Sequence, residues 1–183
     1  MEICSKIKPN YGNLKQEQKM HNNAKQCVFV DSSSPTVVGL HVIPGGKAVG
    51  DVTSLGENVF VVHTYSQQKI EVYDAKTFTL QRHITVPGLS GRCWGLAESP
   101  YNNCLYASDF DNDSVHRVEL SPGIAVMKRW SVARSPLGLS VNNKHNLIVV
   151  SQLERKLQRL TTLGTLLQDI QLQADIRYPW HAV

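Results

Sequence analysis

CWGLAESPYNNCLYASDFDNDSVHRVELSPGIAVMKRWSV, residues 93–132, alternates short apolar runs with turn chemistry. The runs are Cys93-Trp94-Gly95-Leu96-Ala97, Leu105-Tyr106-Ala107, Val115 to Leu120 and Val126 to Val132. Between them stand Ser99-Pro100-Tyr101-Asn102-Asn103, Asp111-Asn112-Asp113 and Ser121-Pro122-Gly123. Proline presets φ, and Asn, Asp and Gly tolerate positive φ, so each separator reads as a tight turn. Four short strands joined this way make one antiparallel meander.

The same order recurs on both sides. Ala48 to Thr53, Val59 to Thr64, Lys69 to Asp74 and Thr79 to Val86 precede it; Leu137 to Val141, Leu147 to Ser151, Leu157 to Thr161 and Leu166 to Leu172 follow. At a shift of 43 residues Asp31 returns as Asp74, Pro44-Gly45 as Pro87-Gly88, Arg134 as Arg177 and Pro136 as Pro179. A supersecondary unit of this size cannot bury its apolar faces alone and stacks against its own copies. A meander of this length, repeated, predicts an all-β chain: a β-propeller of four-stranded antiparallel blades. About three and a half blades of a ring expected to hold six are present. Residues 47–90, 91–134 and 135–176 read as full blades, 26–46 as half a blade and 177–183 as the start of the next, with 1–25 a flexible polar lead-in. An open arc leaves sheet faces and edges bare. The expectation is therefore a fragment of a longer chain or, as a second arrangement, a homodimer through the open edges of the propeller.

Composition excludes little. The net charge of +4 forces neither a nucleic-acid nor a membrane partner, and no apolar stretch approaches the roughly 20 residues that span a bilayer. The N-terminal residues lack the apolar run of a signal peptide, so a cytoplasmic chain is expected. Cys4, Cys27, Cys93 and Cys104 show no metal-ligand spacing and read as reduced structural thiols.

The segment from Leu105 to Val118 resembles the core of an NHL repeat, where a strand ends in Asp, a short polar turn with Asn follows, and a basic residue with alternating apolar positions opens the next strand. Gly50-Asp51-Val52, Trp94-Gly95-Leu96 and Leu137-Gly138-Leu139 are similar to the NHL lead-in. The likeness covers residues 26–183 and is fullest in the middle blade, since Thr64 and Ser151 stand where Asp109 does. YWTD and WD signatures are missing. NHL propellers commonly end tripartite-motif ubiquitin ligases, so the resemblance implies substrate or RNA recruitment. The four cysteines cannot supply the zinc ligands of a RING domain.

In such a blade the loops from fourth to first strand share a face with those from second to third. Each lead-in loop carries one cation before the inner strand, Lys47, Arg92, Arg134 and Arg177, which in a closed ring would surround the channel mouth. Converging cations suit an acidic peptide or an RNA backbone; the alternative is that Asp109, Asp111, Asp113 or Glu154 on adjacent loops pair with them. Trp94 and Trp180 share a repeat position and read either as inter-blade packing or as stacking platforms for single-stranded RNA. Asp109-x-Asp111-x-Asp113 opens like a calcium loop and then fails, with Ser114 and Leu120 where Gly and Glu are required. His41, His63, His83, His116, His145 and His181 are scattered. Of these only His181, with Asp51, reads as channel-facing, too little for the central metal of a propeller lactonase or lyase. Neither catalysis nor a cofactor is expected. The reading is a macromolecule-binding scaffold, for protein first and single-stranded RNA second.

Overall fold

A computed structural model describes the backbone of residues 5–6, 14–21, 24–31 and 37–42, and backbone with side chains for 49–65, 68–120, 127–173, 175–176 and 179. The chain divides into two compact units, 1–48 and 49–183. In the first, β1 (Ser5–Lys6), β2 (Leu14–His21), β3 (Ala24–Asp31) and β4 (Val37–Val42) form one antiparallel meander. β3 and β4 fall where the sequence places them. β2, paired with β3 from Leu14 opposite Asp31 to His21 opposite Ala24, lies in the segment expected to be a flexible lead-in. Its sequence, LKQEQKMH, carries little β-propensity, and it is the backbone ladder to β3 that forms the strand. Lys47 lies outside the described residues, as do Arg177, Trp180 and His181.

The second unit contains three blades: β5 (Val49–Leu55) to β8 (Leu80–Thr85) through β6 (Asn58–His63) and β7 (Lys69–Asp74); β9 (Leu96–Ser99) to β12 (Met127–Ser131) through β10 (Cys104–Asp109) and β11 (Ser114–Glu119); and β13 (Pro136–Val141) to β16 (Leu166–Gln171) through β14 (Leu147–Ser151) and β15 (Lys156–Leu160). Every blade is a consecutive antiparallel meander. The 3-10 turn Pro100–Asn102 begins where Pro100 presets the first φ and ends at Asn103 in the left-handed region, as the proline and asparagine of that separator require.

Alternate residues of each strand meet the neighbouring blade. Phe60, Val62, Ile70 and Val72 of the first blade lock with Leu96, Leu105, Ala107 and Val118 of the second. The reverse side of the second blade, with Ala97, Cys104, Tyr106 and Val115, meets Leu139, Leu147, Val149 and Leu160 of the third. Each fully buried Val, Leu, Ile or Phe side chain among them contributes about 1.5–3 kcal/mol of transfer free energy. Cys93 and Cys104 are free thiols, buried in the two different clusters.

The inner strands β5, β9 and β13 stand side by side, and glycine sets their spacing. A Cβ on Gly50 would lie 2.2 Å from the Cys93 carbonyl oxygen, and one on Gly95 would lie 2.1 Å from that of Leu137. Both obstacles are backbone, so no rotamer change relieves them. The glycines of the repeated lead-in thus mark where one blade's main chain touches the next. Gly95→Ala is expected to cost about 1–3 kcal/mol through this clash, read as a lower urea midpoint at unchanged slope.

Candidate functional site: the loop-bearing face

The lead-in loops are held from both sides. The Tyr65 amide donates to the Gly91 carbonyl and the Phe110 amide to that of Arg92, so the second blade's lead-in is tied both to the blade before it and to its own blade. One blade further, the Gln152 amide donates to the Ser135 carbonyl at 3.2 Å, while the Ser135 amide donates to Asp113 Oδ1 at 2.8 Å and the Arg134 amide to Glu154 Oε1 at 2.9 Å. Loops without regular structure are thereby fixed by hydrogen bonds that leave few orphan backbone groups.

Near the end of the second strand and on the third strand of each blade stand polar side chains at equivalent positions. Glu71 pairs with Val61 as His116 pairs with Ala107 and Gln158 with Val149, which makes His63, Asp109 and Ser151 equivalent. The sequence match of Asp109 to Thr64 is therefore corrected by one residue to His63. In the second blade His116 Nε2 donates to Asp109 Oδ2 at 3.0 Å, with both side chains buried. In the first the partners are exchanged: His63 Nε2 lies 2.9 Å from Glu71 Oε2, which also accepts from Tyr73 at 2.7 Å. The third blade uses neutral groups, with Ser151 Oγ donating to the Arg134 carbonyl and the Ala133 amide donating to Gln158 Oε1 at 2.5 Å.

Burial alone would raise the Asp109 pKa, but hydrogen bonds from His116, Ser90 and Asn112 outweigh it and hold the carboxyl at about 2. Glu71 is likewise lowered, burial being overcome by the bonds from His63 and Tyr73. Burial pushes the Cys93 thiol up to about 12, with the Asp51 charge adding to the effect, so it offers no thiolate near neutral pH. Asp51 is engaged structurally, its Oδ2 accepting from the Leu96 amide of the next blade at 2.7 Å.

The two described lead-in cations have carboxylate partners. Arg92 forms an ion pair with Asp111 and lays its guanidinium 4.9 Å from the centroid of Phe110. Arg134, largely exposed, lies 4.0 Å from Asp113. Trp94 is half-buried, its amide donating to Ser108 Oγ at 3.2 Å. Of the aspartates in the calcium-like run, Asp109 serves His116, Asp111 serves Arg92 and Asp113 serves the third lead-in. Among the described residues no three His, Cys, Asp or Glu side chains converge as a metal-holding group. Sequence reasoning did not single out Tyr65 and Leu153, which are 73% and 62% exposed on the turns after β6 and β14. Tyr65 has φ 69, an unusual conformation for a bulky side chain.

The repeated meanders, their face-to-face stacking and the side-by-side inner strands define a partial β-propeller. No family model matches the sequence, and no curated protein does. Among solved structures the chain is similar to a catalytically inactive virginiamycin B lyase from Staphylococcus aureus, at 15% identity and TM-score 0.69 over 94% of this chain and 60% of that one. It is also similar to the Pan2 WD40 domain of Neurospora crassa, at 9% identity and TM-score 0.64 over 88% of this chain and 47% of that one. A third likeness is to a candidate 6-phosphogluconolactonase from Bacteroides uniformis, at 16% identity and TM-score 0.62 over 91% and 56%. The chain thus spans about three fifths or less of the propellers it matches, and at these identities the likeness is one of fold, shared by enzymes and WD40 domains alike.

The Asp109–His116 pair gives a signed pH expectation. A carboxyl held at about 2 when folded, against roughly 4 when unfolded, stabilises fully above about pH 4. That contribution, about 2 kcal/mol, is lost as pH falls from about 4 through 2. Asp109→Asn is expected to flatten that acid limb in urea titrations and to lower stability at pH 7.

Proposed function

We propose that this propeller is a non-catalytic scaffold of NHL type that recruits a protein partner through its loop-bearing face. The observation that carries the reading is the composition of that face. Exposed Tyr65, whose amide bonds the Gly91 carbonyl next to Arg92, and exposed Leu153, on the equivalent turn of the third blade, share the face with the Arg92–Phe110 contact and with carboxylates that compensate the lead-in cations. Aromatic and arginine anchors with charges of both signs suit a protein surface. Single-stranded RNA, the second reading, would draw on Arg134 and half-buried Trp94. An RNA backbone gains most from uncompensated positive charge, and Asp111 and Asp113 offset it here.

The two readings separate in one experiment. The full chain and a Tyr65→Ala, Leu153→Ser variant are used as baits in cells with quantitative proximity labelling, alongside titration with a mixed single-stranded RNA at several salt concentrations. The expected result is a set of proteins lost with the variant and no tight RNA complex. Labelling unchanged by the variant would sink the protein reading. RNA binding with a steep log–log salt slope, reduced by Arg134→Ala, would establish the second.

A further inference from the structure

The outer strand of the second blade carries a sequence motif that the loop face does not account for. β12 and the residue after it read Lys128-Arg129-Trp130-Ser131-Val132. The strand is bonded to β11 on one side only, and Lys128, Arg129 and Ser131 are all exposed. Neither cation has a carboxylate partner among the described residues, and Arg129 Nε donates to Ser114 Oγ at 3.0 Å instead. Lys76, Arg92, Arg134 and Lys156, by contrast, all stand against Asp or Glu. Arg129 and Ser131 oppose His116 and Ser114 of β11, so these two share one face of the strand and Lys128 takes the other. The equivalent stretches of the neighbouring blades are Arg82-His83-Ile84-Thr85 and Gln168-Asp169-Ile170-Gln171. In the first, His83 lies 3.7 Å from Glu71; the second has neither cation nor hydroxyl.

We propose that Ser131 is a phosphorylation site for a basophilic serine/threonine kinase that recognises Lys128 and Arg129. A kinase takes its substrate as an extended segment and selects it by charge pattern. Cations two and three residues before the hydroxyl, with an apolar residue after it, fit an acidic substrate channel; Arg129, Lys128 and Val132 occupy those places. A strand is already extended, and the free edge of β12 leaves room for approach. Charged side chains also keep an edge strand from pairing with another chain. That role calls neither for an exposed hydroxyl at a fixed distance from both cations nor for their freedom from carboxylates. In the transfer, a bond forms from Ser131 Oγ to the γ-phosphorus of ATP as the bond to the bridging oxygen breaks. The hydroxyl proton goes to the kinase's catalytic aspartate, and ADP leaves. The added charge, roughly −1.5 to −2 at pH 7, stands on the same face as Arg129, a cation able to pair with it. It also precedes Ala133 and Arg134 of the third lead-in by two and three residues. The inference does not rest on the recruiting face, so Tyr65 and Leu153 substitutions leave it intact.

The test is incubation of the full folded chain with magnesium ATP and the catalytic subunit of the cyclic-AMP-dependent protein kinase, followed by peptide mass mapping. Far-UV circular dichroism on wild type and every variant checks that the sheet is intact. Wild type is expected to carry phosphate on Ser131 and not on Thr85, where His83 replaces the arginine. Ser131→Ala is expected to lose that phosphate. Lys128→Gln and Arg129→Gln, both at exposed positions, are each expected to lower kcat/KM for the folded chain about tenfold or more, as loss of a hydrogen bond to a charged group implies. No incorporation at Ser131, incorporation there only when the chain is unfolded in urea, or a rate indifferent to both cation substitutions would each overturn the proposal.

Discussion

Main-chain contact between neighbouring inner strands is the constraint on which the second unit depends. With Gly50 against Cys93 and Gly95 against Leu137, the strands approach as closely as two backbones can. That approach brings the first strand of one blade within reach of Asp51, whose carboxylate spans to the Leu96 amide of the next. The apolar clusters follow from the same spacing. Phe60 and Val62 can meet Leu105 and Ala107 because no side chain props the inner strands apart. Close packing then leaves little slack, which is why a single methyl at these glycines is costly.

The fold was legible because its local signals agree with one another. Pro100 and Asn103 make their turn, Ser151 ends β14 as the alternation of apolar residues implies, and Lys69–Asp74 is a strand over the residues the pattern marks. β2 was less legible, since a polar strand of Lys, Gln and Glu has neither alternation nor branched side chains to announce it. The exchanged pair of the first blade was hidden for another reason. The pairing of β6 with β7 moves the equivalent of Asp109 to His63, and the acid and imidazole trade strands. A search for a repeated Asp misses a repeated pair. Tyr65 and Leu153 gave no periodic signal, because exposure on a turn depends on where the flanking strands end.

The charge arrangement at the loop face follows from the same repetition. A cation in each lead-in loop looks, along the sequence, like a ring of one sign. In space each described lead-in cation is flanked by an aspartate from a second-to-third strand loop: Asp111 of its own blade for Arg92, Asp113 of the preceding blade for Arg134. Two sets of loops on one face interleave, so two sets of charges interleave as well. The long-range potential is thereby reduced while short-range, directional pairing is kept. The lead-in of the third blade is held by Ser151 and Gln158, which bond the Arg134 carbonyl and the Ala133 amide, and the turn after β10 is held by the Asp109–His116 pair with Asn112. Loops fixed in this way have little conformational freedom left to lose, so any partner the proposed recruiting face takes would meet a surface already ordered by the bonds beneath it.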